Sequence, residues 1–258
     1  MATHFAAEST LTLPAQRGLH VAIAMDGNGR WAAARGLLRS EGHRAGVEAV
    51  RRVVAAAPEL GIATLTLFAL SSDNWQRPGP EVAALLALFE EFFLRESEAL
   101  AQQGVEICVI GRRDRIPCSL VSAIRFAEIS TPARRTLTLR VAIDYSGRDA
   151  ILRAACWMLS SLEVSQKEFA RRLGEVMHAD GASTDVDLMI RTGGERRLSD
   201  FLLWECAYAE LAFTSTLWPD FGAADLESAL QDFAGRERRY GGLPVAVGSP
   251  VGAARRND

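Results

Sequence analysis

Three segments concentrate the residue types that hold anions. The first is Asp26-Gly27-Asn28-Gly29-Arg30-Trp31. Its two glycines let the backbone come close to a ligand and present N–H groups to a negative charge. Arg39 and His43 follow at a spacing that lets them close on the same anion. The run matches neither the Walker pattern nor G-x-G-x-x-G, and a Gly-Asn-Gly turn is also ordinary loop chemistry. The second segment is Ser71-Ser72-Asp73-Asn74-Trp75-Gln76-Arg77-Pro78. A capped, proline-marked helix start accounts for the serines and Pro78. It leaves Asn74, Trp75 and Arg77 without a task. The third, Arg191-Thr192-Gly193-Gly194-Glu195-Arg196-Arg197-Leu198-Ser199-Asp200, joins three arginines to two glycines and two hydroxyls. Guanidinium forks backed by amides make a second anion site, and a solvated charged loop is the plain alternative. The apolar runs Leu188-Met189-Ile190 and Phe201-Leu202-Leu203-Trp204 on either side seat the loop on the core.

The elements that position these segments follow from hydrophobic periodicity. Short apolar runs at Leu19–Met25, Ala63–Leu70, Val105–Ile110, Leu137–Ile143, Val186–Ile190 and Leu211–Thr214 read as strands covered on both faces. Helical spacing occupies Gly42–Leu60, Pro80–Gln103, Pro117–Ile129, Arg148–Leu162, Ser165–His178 and Ala223–Arg236. The alternation predicts an α/β single domain, with a central, mostly parallel six-stranded sheet flanked by helices. Ligands then belong beyond the carboxyl ends of the strands, where the three segments fall. The helix from Pro80 carries a core stripe of Val82, Leu85, Leu86, Phe89, Phe92 and Phe93. Ala83, Ala84, Ala87 and Leu88 widen its apolar surface, which suits burial between layers or an apolar tunnel between sheet and helices. Residues 18–243 form the expected domain, and 1–17 and 244–258 the expected disordered tails.

Composition sets the outer limits. In 258 residues, 29 basic against 32 acidic groups give a net charge of -3, which argues against a nucleic-acid partner. No apolar run approaches membrane-spanning length and the N-terminus lacks a secretory signal, so a cytoplasmic protein is expected. Cys108, Cys118, Cys156 and Cys206 read as reduced core residues, with no zinc spacing among them and the histidines. Two anion sites beside one apolar cavity suggest an enzyme that brings together two phosphorylated apolar molecules. No Asp-Asp pair occurs in the chain, so arginines and amides must meet most diphosphate charge, with magnesium held by few carboxylates.

These motifs resemble the cis-prenyltransferases. The likeness runs from about His20 to Gly242. It is carried by His20 to Trp31, Gly42-His43-Arg44-Ala45-Gly46, Ser71 to Pro78, Arg191-Thr192-Gly193-Gly194-Glu195, Trp204 to Glu210 and Trp218-Pro219-Asp220-Phe221. The resemblance implies condensation of isopentenyl diphosphate onto an allylic diphosphate, farnesyl diphosphate, giving undecaprenyl diphosphate for the cell-wall lipid carrier. A short-chain or differently coupling synthase and a non-catalytic partner subunit are the alternatives. It implies that Gly27, Asn28, Gly29 and Arg30 hold the allylic diphosphate with Arg39, His43 and Arg77. Arg191, Arg197 and Ser199 would take isopentenyl diphosphate. Asp26 and Asn74 would act in catalysis, Asp26 and Glu210 on Mg2+, and Trp31, Ser71, Trp75 and Glu81 near the substrates. It further implies a homodimer, with Arg238-Arg239-Tyr240-Gly241 reaching across, and peripheral membrane contact for product release. Asp73, Asp144 and Asp200 depart from the family pattern of Glu, Asn and Asn, and added carboxylates repel a diphosphate unless turned away or neutralised.

Overall fold

A computed structural model describes residues 18–159, 163–179 and 181–236. The expected tails and the Arg238-to-Gly241 motif lie outside them, as does the stretch just before Gly242. Six strands, β1 (Leu19–Ala24), β2 (Ile62–Phe68), β3 (Val105–Ile110), β4 (Leu137–Ala142), β5 (Leu188–Arg191) and β6 (Glu210–Phe213), form one sheet in the order β3-β4-β2-β1-β5-β6. Every pairing is parallel, so "mostly parallel" becomes wholly parallel. Parallel neighbours need crossovers, and the long helical segments supply them for all but the last connection.

Seven α-helices, α1 (Asn28–Ala33), α2 (Arg39–Ala56), α3 (Gly79–Gln102), α4 (Cys118–Ile129), α5 (Gly147–Met158), α6 (Gln166–Val176) and α7 (Ala223–Ala234), and two short 3₁₀ turns, Ser72–Gln76 and Trp218–Asp220, complete the described fold. Residues alternate along β1 between two cores. Val21 and Ile23 join the side carrying Leu65, Leu139 and the apolar stripe of α3, whereas Ala22 and Ala24 face Tyr145, Ala150 and Phe201. Both faces are therefore buried, which is why the strand reads as a continuous apolar run.

Sequence order reverses across β1, with β2 on one side and β5 on the other. Such a switch point opens a crevice beyond the strand ends. Asp26 follows β1, Thr192 follows β5, and Ser71 follows β2, so topology alone gathers the three segments.

Two expectations needed correction. Asn28–Ala33 is a helix, not a plain turn, although it opens with Asn-Gly. Local propensity is poor there, and tertiary packing overrides it: a Cβ on Gly42 would lie 2.1 Å from the Asn28 carbonyl oxygen, so only glycine lets α2 close on α1. Of the cysteines, Cys108 and Cys206 are buried but Cys118 and Cys156 are exposed, on α4 and α5 respectively.

Candidate active site

A cavity of about 320 Å³ opens at the carboxyl end of β1. Its mouth is lined by Asp26, Gly27, Asn28, Gly29, Arg30, Arg39, His43, Asn74 and Arg77. Its interior is apolar, walled by Val47 and Val50 from α2, by Leu85, Phe89 and Phe93 from α3, and floored by Leu67, Ala69 and Val141 of the sheet. Of the residues expected to widen the apolar surface of α3, Leu88 lines the cavity, whereas Ala83, Ala84 and Ala87 face solvent. Leu137 is fully buried and not part of this wall.

The mouth is assembled by close approaches that only small residues permit. Gly27 has φ 114°, and a Cβ there would meet Leu217 at 2.8 Å. A Cβ on Gly46 would lie 2.5 Å from Asn28 Oδ1. That oxygen and His43 Nε2 are buried without a hydrogen-bond partner. Burying a polar atom unpaired is costly, so two such atoms at one cavity mouth mark where a polar ligand satisfies them.

Two guanidinium groups and one imidazole are drawn together by one carboxylate. Glu81 Oε1 lies 3.3 Å from Arg39 Nη2, 3.3 Å from Arg77 Nη1 and 3.8 Å from His43 Nε2. Burial, then the neighbouring Arg77, lowers the His43 pKa below the usual imidazole value. The ring is neutral at pH 7 and can offer one N–H.

Asp26 joins this mouth to the third segment. Arg30 Nη2 donates to Asp26 Oδ1 at 3.1 Å, and Arg191 Nη2 donates to Asp26 Oδ2 at 3.0 Å. Arg191 is nearly buried; its Nη1 donates to the Arg197 carbonyl and to Ser199 Oγ, both at 2.8 Å. Its Nε has no partner. Arg30 Nη1 also donates to the Gly193 carbonyl at 2.6 Å, and a Cβ on Gly193 would lie 2.5 Å from Arg30 Nη2. Ser199, Asp200 and Leu202 have φ of 52°, 65° and 46°, a run of left-handed side-chain-bearing residues. Such strain persists only where surrounding structure enforces it, and it clusters at functional segments.

Not every expected residue converges. Trp31 is off the cavity wall: its indole donates to Asp220 Oδ1 at 2.7 Å and Arg35 stacks 4.1 Å from the ring centroid. Arg197 is exposed and paired with Glu195 at 2.6 Å. Ser71 and Trp75 support Asn74 rather than line the cavity. The Ser71 N–H donates to Asn74 Oδ1 at 3.2 Å, and the Trp75 indole donates to Asp144 Oδ1 at 2.9 Å. Glu210 stands apart. It pairs in register with Leu188, which pairs with Val21, so it lies at least about 10 Å below the strand ends at ~3.3 Å per residue. Its carboxylate accepts from Arg236 Nη1 at 2.9 Å. One chain does not bring Glu210 and Asp26 to a common metal.

The departing carboxylates are dealt with locally. Asp200 caps α5, its oxygens accepting from the Arg148 N–H at 2.9 Å and Ser146 Oγ at 2.5 Å. The helix N-terminus offsets its charge. Asp144 is paired with Arg115, and Asp73 is exposed to solvent.

Sequence reasoning passed over Thr192, Asp220 and Trp218. Thr192 Oγ1 brackets the Asp26 backbone, accepting from its N–H at 2.9 Å and donating to its carbonyl at 2.8 Å. The Trp218 N–H donates to the same carbonyl at 3.0 Å, and its indole donates to the Gly46 carbonyl at 2.9 Å. In the sequence these three residues stand out only by lying within Arg191–Glu195 and Trp218–Phe221.

Comparison with known proteins agrees with this geometry. Residues 24–241 match the prenyltransferase family model described as undecaprenyl diphosphate synthase. Isoprenyl transferase 1 of Bradyrhizobium diazoefficiens is 53% identical over 233 residues, 90% of this chain and 93% of that protein. The ditrans,polycis-undecaprenyl-diphosphate synthase ((2E,6E)-farnesyl-diphosphate specific) of Shewanella oneidensis is 46% identical over 86% of this chain and 82% of its own length. Among solved structures, lavandulyl diphosphate synthase from Lavandula x intermedia, in complex with dimethylallyl diphosphate, superposes with a TM-score of 0.81 at 34% identity. It covers 87% of this chain and 98% of that one. A switch-point cavity with a cationic mouth, an apolar interior and these relatives together place the chain in the undecaprenyl diphosphate synthase family of prenyl transferases.

Proposed function

We propose that the protein adds isopentenyl diphosphate to farnesyl diphosphate, with cis double bonds, to make undecaprenyl diphosphate. The observation that carries this reading is Asp26 bridging Arg30 and Arg191 at the mouth of an apolar cavity. Two cationic segments thereby sit side by side, as condensation of two diphosphates requires. The farnesyl-specific relative in Shewanella supports the choice of primer and product.

In this reading Gly27, Asn28, Gly29, Arg30, Arg39, His43 and Arg77 receive the allylic diphosphate, and its tail lies among Ala69, Leu85, Phe89 and Phe93. Arg191, Ser199 and Arg197 receive isopentenyl diphosphate. Asp26 and the unpaired Asn28 Oδ1 are hard oxygen donors at the mouth, which suits Mg2+ in a site where the diphosphates complete the coordination. Among the described residues no cluster of three acidic, His or Cys side chains offers a cage. When bound, the ion adds positive charge where the leaving diphosphate gains negative charge. Arginines already fixed by hydrogen bonds stabilise that charge without reorganising. The allylic carbon–oxygen bond breaks with its electron pair going to diphosphate. The double bond of isopentenyl diphosphate attacks the allylic carbon, and a proton leaves the adjacent carbon. Asn74 Oδ1 already accepts from Ser71, so the amide orients a substrate through its NH2 while a diphosphate oxygen or water takes the proton.

A homodimer and peripheral membrane contact belong to the same reading. Among the described residues, edge strand β6 exposes Leu211 and Phe213, beside exposed Tyr208, and such an edge calls for a cover. Leu37 and Leu38 are exposed between Arg35 and Arg39 near the mouth, a composition suited to an anionic lipid surface. No helix of the described residues is long and apolar enough to cross a membrane.

A short-chain or differently coupling synthase is favoured by one observation, the lavandulyl diphosphate synthase likeness. Mass analysis of products from farnesyl or dimethylallyl diphosphate, with isopentenyl diphosphate and Mg2+, decides. Undecaprenyl diphosphate is expected; products ending after one condensation would overturn the chain-length reading.

A further inference from the structure

Asp144 lies just beyond β4, fully buried, with φ 50°. Among side-chain-bearing residues this backbone region is most accessible to Asn and Asp, so the position accepts either an amide or a carboxylate. A buried carboxylate must be fully paired or it destabilises the fold. Here Oδ1 accepts from Ser72 Oγ at 3.0 Å, from the Trp75 indole at 2.9 Å and from Arg115 Nη2, while Oδ2 accepts from Arg115 Nε at 2.9 Å. Arg115 Nη2 also donates to Ser72 Oγ at 3.1 Å, and its guanidinium sits 5.7 Å from the Trp75 ring centroid. The backbone reinforces the join: Ser71 bridges Tyr145 in parallel, and the Ser72 N–H donates to the Tyr145 carbonyl at 2.9 Å.

These side-chain contacts fall on the short 3₁₀ turn Ser72–Gln76, which carries Asn74 into the cavity mouth and leads directly to Arg77. Neither Asp144 nor Arg115 lines the cavity. We propose that Asp144 and Arg115 form a charged clasp that fixes the Ser71–Arg77 segment, and that they act on the reaction as positioning residues through Asn74. The clasp rests on the proposed role of Asn74 at the site. The extra negative charge, with Arg115 as counter-ion, strengthens the hydrogen bonds to Ser72 and Trp75 beyond what a neutral amide gives.

The test is a double-mutant cycle on the full-length enzyme, with single-turnover condensation of farnesyl and isopentenyl diphosphates as readout. Misplacing a reacting group by about 1 Å costs roughly 100-fold, so Asp144→Ala is expected to slow the step about 10- to 100-fold. Asp144→Asn, which keeps an acceptor for Ser72 and Trp75, is expected to recover most of that loss. If the clasp acts through Asn74, Asp144→Ala slows an Asn74→Ala enzyme by less than about threefold. In an Arg39→Ala enzyme the full effect persists. Should Asp144→Ala fold poorly, Ser72→Ala, which removes one anchor of the turn and leaves the Asp144–Arg115 pair intact, runs the same cycle. Additivity with Asn74→Ala, when both single variants are impaired, overturns the clasp and leaves the site reading standing. An unimpaired Asn74→Ala overturns the role given to Asn74, and the clasp with it.

Discussion

Asp26 and Arg191 are 165 positions apart in the chain, yet Arg191 Nη2 donates to Asp26 Oδ2 at 3.0 Å across the ends of two adjacent parallel strands. Arg30 holds the other carboxylate oxygen, so the carboxylate is oriented before any substrate arrives. Preorganisation of this kind lowers a barrier without reorganisation during the reaction.

Asp26→Ala is therefore expected to reduce turnover by about 10³-fold or more while leaving a folded protein, because Thr192 and Trp218 hold the backbone of residue 26 independently of its side chain. Steady-state rates with circular dichroism check this. Activity near that of the parent enzyme would remove Asp26 from the mechanism.

Arg191 and Arg197 are expected to differ. Arg191 is nearly buried and hydrogen-bonds Asp26, Ser199 and the Arg197 carbonyl, whereas the Arg197 side chain is exposed against Glu195. Arg197→Ala should raise the KM for isopentenyl diphosphate with little change in melting temperature. Arg191→Ala should lower kcat, raise that KM and reduce melting temperature together. Equal effects from the two would contradict the burial difference.

Ala69 leaves space in the cavity wall facing α3. Ala69→Leu should shift product masses to shorter chains while the first condensation continues, because added side-chain volume narrows the path for the tail. An unchanged product distribution would show that the tail does not pass Ala69.

Stability should fall in mild acid through His20. Burial, then Arg140, lowers its pKa from 6.5 to about 4, and its ring hydrogen-bonds Thr66 Oγ1 at 2.8 Å. Between those values the unfolded chain binds a proton that the folded one does not. Stability is then greatest above about pH 6.5 and declines as pH falls toward 4, by up to about 3 kcal/mol. Urea midpoints across that range check this, and His20→Asn should flatten the slope. A slope identical in the variant would assign the acid sensitivity elsewhere.

The fold and the site were legible to different depths. All six strands fell near where apolar runs had placed them, because burial on both faces leaves a compositional mark; edge strand β6, with Leu211 and Phe213 exposed, is the one not covered on both faces. The α1 helix left none, since it is stabilised by the close approach of Gly42 rather than by its own residues. Glycine-rich and arginine-rich segments announced anion binding through residue type. The destination of each side chain stayed hidden: Trp31 turns to Asp220, and Glu210 sits low on an edge strand with Arg236. The carboxylates that departed from the family pattern looked repulsive on paper, yet Arg115 and the α5 terminus offset two of them.

By itself, the sequence determined the layer architecture, the family and the three segments that carry charge, because hydrophobic period and residue type are local properties. Tertiary structure decided that Asp26 bridges Arg30 and Arg191, that Glu81 gathers Arg39, Arg77 and His43, and that Asp144 clasps the Asn74 turn. Those pairings depend on strand order and on close approaches between distant segments, and neither is encoded in any single stretch of the chain.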